Sequence, residues 1–331
     1  MPKKPKISFV LATYQGERTI RKCLDSIFTQ NYPKKLMEVL VLDGGSKDNT
    51  IKIAKEYPIK FFKNLKKHSE GEGMGKAQGF NRAKGEIVIF IDQDNVFLSK
   101  YCVNNLIKPL FDDKDICISG SKITIVKNDN LINKYLSLVG TDPFMTEFSI
   151  DGQASLNENN FKRINDYLVL EMNKNKWYIA GSNGYAYRKK DILKIGSYSQ
   201  DTDVVYKFAN QNKKLAISLG SPLQHLNISK GLWEFIKKRN YHFGYFVIEN
   251  SKNRKVKYIP SNARGKLYFI LHYLSNLLVL PNLFISIKNF TRDRQPLWLL
   301  HPFMALLTLL IYTRIMLFSK EGLNYIKNSF L

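Results

Sequence analysis

Ile7 to Ala12 form a short apolar run, after which the chain turns polar through Thr13-Tyr14-Gln15-Gly16-Glu17. Apolar positions then resume at helical spacing with Ile20, Cys23, Leu24, Ile27 and Phe28. This pattern predicts a strand, a loop and a helix. The unit repeats: Met37 to Leu42 reads as a second strand ending at Asp43-Gly44-Gly45-Ser46-Lys47-Asp48-Asn49-Thr50, and Ile51 to Tyr57 returns to helical spacing with Ser46 or Asp48 available as a cap. Beyond a polar, Gly-rich stretch, Lys76 to Ala83 predicts a helix that leads into the strand Glu86 to Ile91. Alternating β and α units imply an α/β fold with a mostly parallel sheet covered on both faces, and ligands at the carboxyl ends of its strands.

The middle of the chain is less regular. Ile116–Ser119 and Ile123–Val126 read as short strands, while 141–176 shows no period and receives no element. Trp177 to Ala180 enters a small-residue loop, Gly181-Ser182-Asn183-Gly184, before Tyr185-Ala186-Tyr187-Arg188 and a helix start near Lys190. Glycines there allow a plain turn or the close approach of a ligand.

From Gly265 the pattern changes again. Leu267–Ile287 and Leu297–Phe318 are each long enough for a hydrocarbon core, which takes about 20 apolar residues. His272, Asn276, Pro281 and Asn282 interrupt the first, and His301, Pro302 and Arg314 the second, so two spans and a pair of interfacial helices both stay open. The connection between them carries Lys288, Arg292 and Arg294 against Asp293, which suits the cytoplasmic side of a membrane. Just upstream, Leu232, Trp233, Phe235, Ile236, Tyr241, Phe243 and Phe246 interleave with Lys237, Lys238 and Arg239, as in an amphipathic interfacial helix or a domain-packing helix.

Charge narrows the partners. The chain has 331 residues, with 51 Lys and Arg against 28 Asp and Glu, a net charge of +23 that calls for anionic partners such as nucleotide phosphates or an acidic membrane face. Nucleic acid is not among them, because no zinc-ligand pairs, RNA-recognition aromatics or basic zipper occur. The odd, widely spaced Cys23, Cys102 and Cys117 argue against a disulfide framework and for a reducing compartment. Basic Met1 to Lys6 precedes too short an apolar run, without a small-residue cleavage site, for a secretory leader and reads as the approach to the first strand.

The candidate chemistry sits at Asp92-Gln93-Asp94, where one strand ends in two carboxylates. Such a pair serves either a solvated turn or a hard divalent cation, which oxygen ligands and substrate phosphates would hold as Mg²⁺ or Mn²⁺.

Several ordered motifs give these residues company. Val10-Leu11-Ala12-Thr13-Tyr14 with Glu17, Asp43-Gly44-Gly45-Ser46-Lys47-Asp48-Asn49-Thr50, Gly75-Lys76-Ala77-Gln78-Gly79-Phe80-Asn81, and Asp92-Gln93-Asp94 follow one another in order. Further on come Gly181-Ser182-Asn183-Gly184 with Arg188, Gln200-Asp201-Thr202-Asp203-Val204, and His225 followed by Lys237-Lys238-Arg239. Over residues 6–245 this series resembles family 2 of the inverting glycosyltransferases, whose nucleotide-sugar-binding fold is called GT-A. Gln15 stands where the family customarily has Asn, and Gln200 where it has Glu.

The resemblance implies a GT-A catalytic domain over 1–230, while the apolar and basic pattern beyond it gives an amphipathic juxtamembrane helix and linker over 231–266 and a membrane-associated helical hairpin, two spans or interfacial, over 267–331. The resemblance also implies that Thr13, Tyr14, Glu17, Asp43, Lys76 and Asp92 bind a nucleotide-sugar, that of a UDP-sugar if Asp43 meets a uracil N–H. Asp94 with His225 would hold Mg²⁺ or Mn²⁺, and Gly181, Ser182, Asn183 and Arg188 would lie near acceptor and donor. Asp201 is the expected general base, with Asp203 as the alternative. The expected acceptor is a hydroxyl of a lipid-linked sugar, glycolipid or surface polysaccharide at a membrane, with the catalytic domain on the cytoplasmic face. A polyprenyl-phosphate acceptor and a non-catalytic membrane-surface or polyanion binder are the alternatives.

Overall fold

Seven consecutive buried side chains, Ile7 to Thr13, form strand β1, and burial of every position follows from a sheet covered on both faces. The computed structural model describes residues 4–64, 74–148, 150, 152–156, 161–178, 183–249 and 256–330. Two units emerge, Met1–Thr124 with Ser155–Leu226, and Ile125–Ala154 with Asn227–Leu331. Residues 125–154 belong with the C-terminal helices, so the block expected over 1–230 is not continuous.

Strand β1 lies between β2 (Met37–Asp43) and β4 (Ile87–Asp92), parallel to both. The other strands are β3 (Lys60–Lys63), β5 (Asn95–Phe97), β6 (Ile116–Ile123), β7 (Lys162–Ile164), β8 (Tyr167–Glu171), β9 (Tyr185–Arg188) and β10 (Lys214–His225). Among the described residues they form one sheet in the order β3-β2-β1-β4-β9-β6-β10-β8-β7, with β5 paired to β10. Lysines at both ends of β3, and Lys162 and Arg163 on β7, leave the sheet edges charged and unattractive for further pairing.

Helices α1 (Ile20–Phe28), α2 (Thr50–Ala54), α3 (Met74–Arg82), α4 (Cys102–Ile107) and α5 (Pro109–Asp112) belong to the first unit, as do α7 (Lys189–Lys194) and α8 (Asp201–Ala209). The second unit holds α6 (Leu131–Val139), α9 (Leu232–Tyr241), α10 (Ala263–Leu277), α11 (Leu280–Asp293), α12 (His301–Phe318) and α13 (Lys320–Phe330). Helix α1 buries Ile20, Cys23, Leu24 and Ile27, the stripe its spacing predicts. Helix α3 crosses β1 and β2 at Gly79, where a Cβ would stand 2.4 Å from Val10 Cγ1 and 2.9 Å from Leu42 Cδ2. Only glycine admits so close an approach.

Of the two short strands expected at 116–119 and 123–126, the structure has one, β6, which ends at Ile123 and leaves 124–126 outside any strand. Within 141–176, β7 and β8 form a hairpin whose two-residue turn puts Asn165 at a φ of +52°, a position Asn tolerates.

In the second unit, α12 buries Met304, Leu309, Tyr312 and Met316. Its polar groups are matched inside the unit: His301 Nδ1 lies 2.9 Å from Tyr135 Oη, and the Tyr312 hydroxyl donates to Asp142 at 2.7 Å. Tyr312 also stacks on Phe243 with ring centroids 3.9 Å apart. Helix α9 turns Phe235 inward and Trp233 outward, and buries Arg239 of the basic run. The segment Pro296–Phe318 is long and apolar enough to cross a membrane, and half of its apolar stretch is buried inside the structure, as in the core helix of a soluble unit. Helices α10 and α11 meet at a bend of 82°. Around that bend Leu278, Leu280 and Phe284 are 67–73% exposed.

Candidate active site

Parallel pairing brings the motif residues to one end of the sheet. Thr13 stands opposite Asp43 and Ala12 opposite Asp92, so the loops after β1, β2 and β4 leave the sheet side by side. His225 ends β10 opposite Asn95 of β5, which places it beside the acidic loop although 130 positions separate it from Asn95.

The β2 loop is organised by Asp43. Its Oδ2 accepts hydrogen bonds from the Gly45 and Ser46 N–H groups at 2.9 and 3.0 Å. Oδ1 is buried and has no hydrogen-bond partner among the described residues. A buried acceptor left so is costly unless a ligand supplies a donor.

The β1 loop is held by Gln93, the residue between the two acids. Gln93 Oε1 accepts from the Thr13 hydroxyl and from Tyr14 N–H at 3.1 Å, while its Nε2 donates to Tyr14 O at 3.0 Å. Gln15 fixes the same loop to the next one, its Oε1 accepting from Lys47 N–H at 2.8 Å and Asp48 N–H at 3.3 Å. Glu17 Oε2 accepts from the backbone and side-chain nitrogens of Asn49, both at 3.1 Å. The carboxylate expected to meet a nucleoside thus joins two loops.

Asn95 anchors the acidic turn from below. Fully buried, it accepts from Asp92 N–H at 3.0 Å and donates to Asn183 Oδ1 at 3.1 Å, tying the turn to the loop before β9. Cys23 donates from Sγ to Asp92 O at 3.5 Å. Burial, reinforced by the charges of Asp94 and Asp92, pushes its thiol far above the usual range, so it stays protonated and inert.

Two charged groupings complete the site. Lys76, on the first turn of α3 and 1% exposed, reaches Asp92 Oδ1 at 3.0 Å and Asp201 Oδ2 at 3.3 Å. Burial alone would lower its pKa, but Asp201 and then Asp92 outweigh burial and raise it, so the ammonium persists at neutral pH. His225 Nε2 lies 3.4 Å from Asp94 Oδ1, with both side chains about one-eighth exposed. An imidazole and a carboxylate side by side suit Mn²⁺ or Mg²⁺. Among the described residues no group of three or more His, Cys, Asp or Glu is placed to hold a metal ion.

Asp201 opens α8 and Asp203 lies in the same first turn, where acids suit the helix dipole. Two helical positions are about 200° apart around the axis. Asp201 therefore faces Lys76, while Asp203 turns inward and is only 3% exposed.

Arg188 departs from the expectation. It pairs with Ile87 at the start of β4, the far end of the sheet from Asp92. Its guanidinium is buried against Asp191 and donates to the carbonyls of Leu110, Lys114 and Ile116. Four of the five N–H donors of its fixed fork close strand and helix ends, so the side chain serves the fold. Gly181 and Ser182 lie outside the described residues.

Sequence reasoning missed Gln93 and Asn95. The available signal was an unbroken run of short polar side chains, Asp92 to Asn95, in which each amide both donates and accepts.

The chain resembles known proteins over its N-terminal half. The model of glycosyl transferase family 2 matches residues 8–176, more than half of the chain. Glycosyltransferase AglE of Haloferax volcanii is 35% identical over 94 residues, 27% of this chain and 31% of that protein. The poly(ribitol-phosphate) beta-N-acetylglucosaminyltransferase TarS of Staphylococcus aureus is 34% identical over 93 residues, 27% of this chain and 16% of its own length. The match therefore spans under a third of either relative. Among solved structures, the Pyrobaculum calidifontis mannosyltransferase in complex with GDP-Man and Mn²⁺ superposes with a TM-score of 0.56 at 13% identity, covering 96% of this chain and 89% of that one. A shared GT-A fold, and a family model that runs from β1 past the acidic turn, lead to one assignment: the chain belongs to glycosyl transferase family 2.

Proposed function

We propose that this chain transfers a sugar, with inversion, from a nucleoside-diphosphate sugar to a hydroxyl group of a lipid-linked sugar, glycolipid or surface polysaccharide. The observation that carries the reading is the convergence at one end of the sheet of Asp43, Asp92, the Asp94–His225 pair and the Lys76–Asp201 pair.

In this reading Asp43 Oδ1 accepts from a base N–H, which suits the N3–H of uracil and so a UDP-sugar. Asp92 faces the ribose. Asp201 takes the proton of the acceptor hydroxyl as its oxygen bonds to the anomeric carbon from the side opposite the diphosphate. The bond from that carbon to the diphosphate oxygen breaks as the new one forms, and its electron pair leaves with the nucleoside diphosphate. General-base assistance of this kind is worth about 10²–10⁴-fold. Asp94 and His225 would hold Mg²⁺ or Mn²⁺, which supplies positive charge to the departing diphosphate.

The acceptor class draws on the relatives, since TarS by its name acts on poly(ribitol-phosphate). It also draws on the exposed apolar residues of α10 and α11, a surface suited to a membrane where lipid-linked glycans reside. Lys288, Arg292 and Arg294 beside that surface, and three buried free cysteines, favour its cytoplasmic face. The test is to offer the protein a panel of nucleotide sugars with Mn²⁺ and membrane lipids, then read the lipid fraction by mass spectrometry. A glycosidic mass increment on a glycan-bearing lipid is expected. A sugar–phosphate lipid, or no product from any donor, would overturn the acceptor or the activity respectively.

A further inference from the structure

Lys76 stands in a helix ahead of the acidic strand, where motif order implied a contact with the nucleotide. Its surroundings say otherwise. A lysine that meets a diphosphate directly leaves its ammonium open to the ligand, whereas this one is 1% exposed and held between carboxylates. Lysine is almost never fully buried unless paired, and here the pairing is double, with Asp92 Oδ1 at 3.0 Å and Asp201 Oδ2 at 3.3 Å. Those carboxylates come from the end of β4 and the start of α8, segments that share no hydrogen-bonded strand pairing.

We propose that Lys76 is the positioning residue of the base: it fixes the Asp201 carboxylate in place and couples its aim to Asp92 on the donor side, without itself touching substrate. The inference rests on the reading of Asp201 as the base. Two carboxylates drawn to one nitrogen would repel each other if that nitrogen were absent. Asp201 would then swing away or take up a proton, and either outcome removes it as a proton acceptor. The Lys76 charge thus keeps a base beside the donor-binding acid, and α3 is the element that delivers it. Gly79 three residues on, pressed against Val10 and Leu42, sets the depth at which that helix lies on the sheet.

The experiment is a double-variant cycle with Lys76→Met, Asp201→Asn and both together, following kcat, the donor KM, UDP binding in the presence of Mn²⁺, and thermal unfolding. Lys76→Met is expected to lower kcat by about 10²-fold, at the low end of the loss of a general base, while UDP binding persists. Added to Asp201→Asn, it should cost no further kcat, because its effect passes through that carboxylate. Losses that multiply, or weakened UDP binding with kcat intact, would overturn the proposal in favour of a direct diphosphate contact. Should Lys76→Met fail to fold, Lys76→Arg in the same cycle keeps the charge and changes the aim, and an unchanged kcat there counts against positioning. If the wild-type protein transfers nothing, the proposed function fails first. The unfolding cycle still decides the contact, since absence of coupling between Lys76 and Asp201 rejects it without any turnover.

Discussion

Gln93 uses one carboxamide to hold the hydroxyl of Thr13 and both backbone groups of Tyr14, so the loop expected to line the nucleoside depends on a side chain between the two acids. Gly16 lies against it, and a Cβ there would stand 2.0 Å from Gln93 Oε1. Gly16→Ala must push that amide aside, and the variant is expected to bind UDP with Mn²⁺ about tenfold more weakly, a loss of about 1.4 kcal/mol, while melting close to wild type. Calorimetric titration reads this directly, and unchanged affinity would remove Gln93 from the donor site. The acids themselves were legible through the ordered motifs around them, since a carboxylate pair at a strand end alone serves a solvated turn as readily as a cation. Gln93 and Asn95 were not, since short amides in polar loops ordinarily serve turns and only a tertiary partner gives them a second task. Arg188 shows the converse: the family resemblance implied a place near the acceptor, but nothing local reveals that β9 runs antiparallel to β4 and carries it to the opposite end.

At the level of elements, strands β1, β2 and β4 and helices α1 and α3 are close to where their periodicity put them, because a parallel strand buried on both faces reads as a solid apolar run. The hairpin of β7 and β8 was illegible, with Lys162-Arg163 at a charged edge giving no alternation to follow. Helices α10 and α11 were read as one apolar stretch, and the structure breaks it at Leu278 and Val279, where Val279 has a φ of +57°. Leu280 and Phe284 on the far side of that break remain exposed. An apolar surface of this kind is expected to seek lipid. Leu280→Asp with Phe284→Asp should therefore sharply reduce flotation of the protein with phosphatidylglycerol vesicles while leaving turnover on a water-soluble acceptor intact. Full flotation of that variant would move the membrane contact elsewhere.

Over the whole molecule, a surplus of 23 positive charges and a pair of units divide the tasks. The first unit gathers the acids and the buried lysine at the carboxyl ends of its strands, as open α/β sheets do with their ligand sites. The second joins residues 125–154 to helices that begin about 100 positions later, and an association over that distance leaves no periodic trace in the chain. Asp201, which the family resemblance already ranked ahead of Asp203 as the expected base, pairs with Lys76, 125 positions away, a contact that no local pattern announces. The most direct test of the whole account replaces that carboxylate by its amide. Asp201→Asn, assayed with the preferred nucleotide sugar and acceptor, should lower kcat by at least about 10²-fold while retaining wild-type UDP binding in the presence of Mn²⁺; wild-type kcat in that variant would contradict it.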